Sequence, residues 1–235
     1  MDLSVPSKLF HYTSIGSLAL ILKNRSIRLS RLDTVDDVSE ALSKDAVQYA
    51  KYLFVTCWTD KEEVSIPFWH MYTPNMAGVR LGLSTPIFQT YSIKSDSNKA
   101  LVANDFEGKS ILPLERLHGT NYIVMPENPF KFYKMEYTDD EDLLHPQVYS
   151  LKEDGARSLA LGNLGKYKKT EWSFQDEWRY RLLIFPSAPP PSTSYADLRY
   201  MDEFLSHIGQ TIFGKEPPFE FFFHNYSAKN ISKIS

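Results

Sequence analysis

The stretch LFHYTSIGSLALILKNRSIRLS, residues 9–30, sets the beginning of the fold. Its first five residues alternate with the period of two that is typical of a strand, so neighbouring side chains point to opposite faces. Ser14 can cap the helix that follows, in which apolar residues recur at helical spacing. Residues 27–30 suit a short second strand. The stretch therefore predicts a strand, a helix and a strand in direct succession.

Strands outnumber long helices along the rest of the chain. Apolar alternation or continuous apolar runs predict strands at residues 53–58, 78–83, 87–93, 121–125, 130–137, 177–185 and 219–223. Helices are predicted at residues 38–53, 151–169 and 195–208, with a helix of one or two turns from Pro67. Because these elements are interspersed without a regular βαβ repeat, the pattern favours an α+β fold.

The composition is that of an ordinary globular chain. Its 235 residues suit one large domain, residues 1–235, and 43% hydrophobic with 23% charged residues excludes a wholly disordered protein. The formal net charge of -3 gives no global positive field to attract nucleic acid or anionic lipid. Only 10 glycines are present, where an average usage of about 7% would give roughly 16. We therefore expect a site built from aromatic side chains rather than from glycine-rich phosphate loops.

Cysteine usage and hydropathy predict where the protein works. The single Cys57 cannot form an internal disulfide, which fits a reducing compartment. The N-terminus lacks the apolar run of a signal peptide, and no apolar stretch approaches the roughly 18 residues that span a bilayer. These features predict a cytoplasmic protein outside the membrane.

Several familiar sites are absent from the sequence. It contains no G-x-x-x-x-G-K-[ST], G-x-G-x-x-G, G-x-S-x-G or H-E-x-x-H motif. The six histidines are too dispersed for a local metal motif, so no metal is predicted, although a site assembled from distant residues stays open.

Two segments in the first half carry candidate ligand-binding groups. At the first strand-to-helix junction, His11, Thr13 and the helix N–H groups could hold a polar ligand; the alternative is a half-buried histidine beside a capping serine. Trp69 and Tyr72 fall on one helix face at i, i+3 and could stack a flat heterocycle, although such pairs are more often core.

Two further segments combine charges with aromatic residues. Strand alternation places Glu177, Arg179 and Arg181 on one face, where two guanidiniums suit a phosphate and the carboxylate suits a sugar hydroxyl; the alternative is a solvated face with ion pairs. Residues 166–169 carry three lysines that could contact nucleic-acid phosphates, or could be a basic helix end.

Together these segments resemble a bacterial family of uncharacterised domains. The shared blocks are L-F-H-Y-T-S, I-R-L-S, D-D-x-x-E, C-W-T, W-H-M-Y, G-V-R-L-G-L and W-S-F-Q-D-E-W-R, in this order. The resemblance covers a core of roughly residues 8–185 and leaves residues 192–235 as a C-terminal extension. In that family the second loop usually reads N-D-P-x-E, whereas residues 36–40 here read DDVSE.

The front end also resembles ADP-ribosyltransferase-like folds, which include bacterial DNA-modifying toxins and RNA 2′-phosphotransferases. This resemblance implies a split mixed sheet with flanking helices that binds NAD in its cleft. It assigns His11 to the adenosine-side ribose, Tyr72 or Tyr12 to the nicotinamide, and Glu177 to the 2′-hydroxyl of the nicotinamide ribose. Further lining residues would be Thr13, Ser30, Trp69 and Arg179.

The function so implied is NAD-dependent ADP-ribosyl transfer or NAD glycohydrolysis, with NAD as the substrate, His11 and Glu177 as the catalytic residues, and no metal. The resemblance also implies a toxin or anti-phage setting, a protein or nucleic-acid acceptor and a partner protein. One alternative is a catalytically inactive nucleotide-binding or sensing module of a bacterial defence system. Another is a nucleic-acid-processing domain that uses His11, Glu177 and the lysines of residues 166–169.

Overall fold

A computed structural model describes residues 5–94, 107–117, 119–125, 132–151, 157–186, 215–226 and 231–234. Its helices are α1 Ile15–Asn24, α2 Ile66–Tyr72 and α3 Glu141–Leu144. Its strands are β1 Lys8–Thr13, β2 Ser26–Arg31, β3 Leu53–Thr59, β4 Val79–Ser84, β5 Tyr91–Lys94, β6 Glu107–Ser110, β7 Tyr122–Met125, β8 Phe132–Lys134, β9 Glu136–Tyr137, β10 Tyr149–Leu151, β11 Arg157–Leu159, β12 Tyr167–Lys168, β13 Glu177–Pro186, β14 Phe221–Asn225 and β15 Ile231–Ile234. The fold is α+β, with few helices.

A curled antiparallel sheet dominates the fold. Within the described ranges it has nine strands, in the order β14-β2-β3-β1-β4-β15, and β13 pairs with β3, β7 and β8. All of these pairings are antiparallel. The prediction of a mixed sheet is therefore wrong for this main sheet. A parallel pairing occurs in the small separate sheet of β9 and β12. The two outer strands, β14 and β15, come from the C-terminal segment, which is thus part of the main sheet.

The sheet forks along one edge of β3. On its other edge, β3 pairs with β13 over its whole length, from Leu53 to Thr59. On the forked edge, Val55 pairs with β2 and Thr59 pairs with β1. Cys57, which lies between them, has no strand partner on this edge. The strands β1 and β2 therefore diverge from each other beside Cys57, and the gap between them becomes a cleft.

Helix α1 connects the two diverging strands. As predicted, Ser14 caps it, because the Ser14 hydroxyl accepts a hydrogen bond from the Ser17 N–H at 3.0 Å. The helix ends where Arg25 adopts a left-handed conformation with φ of 50°. Leu18 and Ile21 pack against the core from one side of the helix. The remainder of α1 is exposed, and three of its residues, Ser17, Leu20 and Asn24, border the cleft at the fork.

The alternation predicted for the long strand β13 is confirmed. Its even-numbered residues from Trp178 to Ile184 belong to one hydrophobic core, together with Phe54 and Trp58 of β3. Its odd-numbered apolar residues, Leu183 and Phe185, belong to a second core on the opposite face. The charged residues of β13 lie on that second face, since they share its odd numbering.

Two predicted helices are wrong in the described part of the chain. Residues 38–53 form only short 3-10 turns, and the Asp45 carboxylate between these turns accepts hydrogen bonds from the backbone N–H groups of Val148 and Tyr149. Such side-chain contacts to distant backbone groups replace helical hydrogen bonds. In residue 151 and residues 157–169, the described part of the other range, short strands and turns replace the helix. Gly165 has a φ of 70° that an α-helix does not contain.

The strands predicted around β1 to β4, β7, β13 and β14, and the short helix at Pro67, are confirmed. The sequence pattern does not predict strands β6, β10, β11, β12 and β15. The helix predicted at residues 195–208 lies outside the described residues. No described helix combines the length and the apolar character needed to cross a membrane.

Candidate functional site

A cavity of about 360 Å³ opens at the fork of the sheet. Residues of β1, α1, β2 and β3 line it, together with residues of α2 and the start of β13. Its volume lies within the range of about 300–1,000 Å³ that is typical of small-molecule sites. Of the predicted site residues, the cavity brings together His11, Tyr12, Thr13, Ser30, Tyr72 and Glu177. It does not include Trp69 or Arg179 among its lining residues.

His11 bridges the gap in the sheet. Its Nδ1 donates a hydrogen bond to the Cys57 carbonyl at 3.0 Å, so this nitrogen carries the proton. The imidazole also packs on Trp58, with a distance of 5.2 Å between the ring centroids. Burial lowers the pKa of His11, the bond to Cys57 opposes this shift, and the positive charge of Arg28 lowers the pKa further. His11 is therefore a neutral imidazole whose Nε2 has no hydrogen-bond partner among the described residues.

Glu177 reaches the cavity from the opposite face of the sheet. Thr59 pairs with both Phe10 and Glu177, so these three side chains share a face. His11, the neighbour of Phe10, points to the other face. Because the sheet is open beside Cys57, both His11 and Glu177 still border the same cavity.

The Glu177 carboxylate is ionised although it is 5% exposed. Arg179 donates to one of its oxygens through Nε, and the Lys168 ammonium lies 3.3 Å from the other oxygen. Burial alone would raise the pKa of Glu177, but the positive charges of Arg179 and Lys168 outweigh burial and lower it. The cavity is thus bordered by a fixed negative charge.

Glu40 completes a buried charge cluster with Glu177, Lys168 and Arg179. The Arg179 guanidinium binds both carboxylate oxygens of Glu40, and the Lys168 ammonium lies 3.0 Å from one of them. Two carboxylates and two cations give the cluster no net charge, which is how charges are tolerated in a protein interior. We call these four residues the buried charge cluster. Arg179 is fully buried within it, which is why it does not line the cavity as predicted.

Arg181, the next charged residue of β13, is also buried. Its guanidinium donates to the carbonyl oxygens of Leu161 and Leu164, at 3.2 and 3.0 Å. Neither interpretation of this face of β13 is confirmed. The face is not solvated, and the guanidiniums of Arg179 and Arg181 bind protein groups and do not line the cavity, where a phosphate was expected.

A chain of hydrogen bonds links the buried charge cluster to the cavity wall. The Lys168 ammonium donates to Gln175 at 2.8 Å, and the Gln175 amide donates to the Tyr72 hydroxyl at 2.6 Å. Tyr72 in turn donates to Asp36 at 2.7 Å. Burial raises the pKa of Tyr72, and the Asp36 carboxylate raises it further, so the hydroxyl stays protonated. The ring of Tyr72 is thereby held in place at the cavity.

The aromatic wall differs from the predicted one. Residues four apart on α2, Phe68 and Tyr72, line the cavity together, and their ring centroids are 5.5 Å apart. Trp69 instead packs edge-on against Tyr12, whose hydroxyl accepts a hydrogen bond from the Ser65 N–H. The predicted i, i+3 pair of Trp69 and Tyr72 is therefore replaced by an i, i+4 pair, because α2 turns Trp69 away from the cavity.

The local sequence pattern does not predict the partners of Glu177. The pattern places Lys168 in a basic patch or helix end, but Lys168 is 1% exposed and bound to carboxylates. Lys166 pairs with Glu136 at 2.8 Å, so the proposed lysine surface is reduced to Lys169. The sequence does offer one indication of Glu40, which is its position at the end of the D-D-x-x-E block.

Comparison of the chain with protein families, with curated protein sequences and with solved structures finds no significant match. Within the described ranges, no group of three or more histidine, cysteine, aspartate or glutamate side chains is placed to hold a metal ion.

Proposed function

We propose that this chain binds NAD in the cavity at the fork and cleaves the bond between nicotinamide and ribose. The ADP-ribose then passes to water or to a macromolecular acceptor, and the fold belongs to the ADP-ribosyltransferase-like class. One observation carries the proposal: a buried, ionised carboxylate and a neutral imidazole border one cavity that also has an aromatic wall.

The charge of Glu177 suits the chemistry. As nicotinamide leaves, the ribose acquires oxocarbenium character, and a carboxylate bonded to the 2′-hydroxyl stabilises this developing positive charge. Arg179 and Lys168 hold the carboxylate in one place, and their charges keep it ionised. A group that is already oriented needs no reorganisation during the reaction.

The remaining groups suit the rest of the dinucleotide. The Nε2 of His11 can accept a hydrogen bond from a ribose hydroxyl. Phe68 and Tyr72 offer ring faces to the nicotinamide on the side where Glu177 lies.

A second candidate, a nucleotide-binding sensor without catalysis, is favoured by one observation. Both oxygens of Glu177 already have cationic partners, and the side chain is 6% exposed. In the sensor, NAD or another nucleotide would fill the cavity intact and alter a partner protein in a toxin or anti-phage system.

The test is release of nicotinamide from NAD by the full chain, with water and with mixed protein or nucleic-acid acceptors. Glu177→Gln should abolish release, and His11→Ala should weaken NAD binding. Glu40→Gln is the matched control, since it removes the same charge from the same buried charge cluster but not from the cavity wall. All rates are compared per folded molecule, measured by circular dichroism.

The two candidates give different outcomes. Nicotinamide release that Glu177→Gln abolishes and Glu40→Gln largely keeps supports the enzyme. If NAD binds but stays intact, and if His11→Ala weakens this binding, the result supports the sensor. If NAD does not react, and neither NAD nor any of a panel of common nucleotides binds, both candidates are wrong.

A further inference from the structure

We propose that the face of β14 beside the cavity binds unpaired bases of a single-stranded nucleic acid. The site consists of Phe221 and Phe223 of β14 with Arg28 of β2, and we call it the aromatic platform. If the proposed function holds, the bound strand is the ADP-ribose acceptor; the binding itself does not depend on that function.

The platform is built by strand alternation on an outer strand. Phe222 and His224 point into the core, whereas Phe221 is 37% and Phe223 is 54% exposed. The two exposed phenylalanine side chains are neighbours on one face of a short strand. Contiguous exposed apolar surface of this kind often marks a binding site.

The platform faces the same way as the reactive carboxylate. Phe223 pairs with Arg28, and Phe221 pairs with Ser30, so these four side chains share one face of the sheet. Ser30 pairs with Val55, and Val55 pairs with Arg181 of β13, which extends this face to the odd-numbered side of β13, where Glu177 lies. Arg28 and Phe223 also line the cavity.

Arg28 supplies the positive charge. Its guanidinium lies over the Phe221 ring, 4.4 Å from the centroid, which fixes its position. It is exposed, and among the described residues no carboxylate pairs with it. An arginine that lies over a ring and has no carboxylate partner among the described residues is suited to bind a phosphate while a base stacks on the neighbouring Phe223.

A single strand fits this chemistry better than a duplex or a protein. Phenylalanine faces stack on bases of any sequence, which are accessible in a single strand and hidden in a duplex. The overall charge of -3 gives no general attraction for nucleic acid, so binding must depend on this local site. In the coupled reaction nicotinamide leaves with the electron pair of its bond to ribose C1′. A nitrogen or oxygen of the base then bonds C1′ and releases its proton to solvent.

The experiment measures fluorescence anisotropy of a labelled single-stranded oligothymidylate of about eight nucleotides, a length within known site sizes. The full chain is compared with Phe223→Ala and Arg28→Gln. Phe174→Ala is the matched control, because Phe174 is 42% exposed and does not line the cavity. Competition with unlabelled thymidine monophosphate and with duplex DNA shows whether the site prefers a single strand to a mononucleotide and to a duplex.

Phe223→Ala should weaken binding roughly five- to hundred-fold, as expected for loss of one stacked base. Arg28→Gln should weaken binding and reduce the slope of log affinity against log salt by about 0.7, as expected for one phosphate contact on a single strand. Phe174→Ala should bind like the unmodified chain.

Three outcomes would overturn the inference. The first is that Phe223→Ala and the unmodified chain bind the strand with equal affinity. The second is that thymidine monophosphate competes as well as the unlabelled strand does. The third is that a second copy of the chain occupies the platform, seen as a dimer that Phe223→Ala dissociates. Binding of the strand without NAD cleavage would leave this inference standing while the proposed function fails.

Discussion

The two edges of β3 differ in what they hold. The edge toward β13 is paired without interruption, and beneath it lies the buried charge cluster, in which every charge has an opposite partner. The edge toward β1 and β2 is interrupted at Cys57, and there His11 bonds the carbonyl that no strand reaches. A continuous edge gives a rigid support, whereas an interrupted edge gives a cavity with unused polar groups.

The largest expected effect is on the continuous edge. Arg179→Leu leaves the carboxylates of Glu40 and Glu177 buried with only Lys168 to balance them. Removing one partner of a buried ion pair typically costs about 3–5 kcal/mol, so we expect a loss of that order in the free energy of unfolding, measured by urea titration.

Arg28→Leu, on β2 beside the interrupted edge, is the matched control. Arg28 is exposed and no described carboxylate pairs with it, so its loss, including the contact with the Phe221 ring, should change stability by less than about 1 kcal/mol. Equal losses for the two variants would mean that the two edges do not differ in this way.

Acid should separate the two edges by pH. Glu177 has a folded-state pKa below its ordinary value of 4.5, so its stabilising contribution is complete above about pH 4.5 and is lost as the pH falls below it. His11 has a folded-state pKa below its ordinary 6.5, so the unfolded chain binds its proton more readily, and stability falls as the pH drops below about 6.5.

The measurement is the urea midpoint between pH 7 and pH 3. We expect His11→Asn to remove part of the loss that begins near pH 6.5. Glu177→Gln should remove part of the loss that begins near pH 4.5. The reverse assignment, or no change in either variant, would contradict the protonation states described above.

The smallest expected effect concerns the helix that borders the cleft at the fork. Ser14→Ala removes the cap of α1 and should cost about 1 kcal/mol, read from the same urea titration. Ser14→Asp, which restores an oxygen acceptor at the cap, should recover most of this loss. Failure of that variant to recover stability would show that Ser14 acts through something other than capping.

The local pattern was sufficient for the elements that hold the site. Alternation in β1 and β13 and the serine cap of α1 are properties of neighbouring residues, and each is found in the structure. The same alternation separated the charged and aromatic faces of β13. His11 and Glu177 were therefore assigned to strands correctly, and both border one cavity.

What the sequence could not provide depends on distant contacts. Glu40 binds Arg179 across 139 positions of the chain, and Gln175 binds Tyr72 across 103. No local spacing encodes such pairs. The helix predicted at residues 38–53 is wrong for a related reason. The Asp45 carboxylate accepts a hydrogen bond from the distant Val148 N–H, and the flanking segments form 3-10 turns. The fork itself follows from which strands share β3, which a pattern of apolar residues does not specify.

The most direct test of the account is an amide NMR titration of the labelled full chain with NAD. We predict that the signals of Cys57, His11 and Thr13 shift first and saturate together, while those of Leu183 and Phe185 on the continuous edge stay unchanged. Shifts that centre elsewhere, or an unchanged spectrum at saturating NAD, would contradict the claim that the interrupted edge of β3 is the binding site.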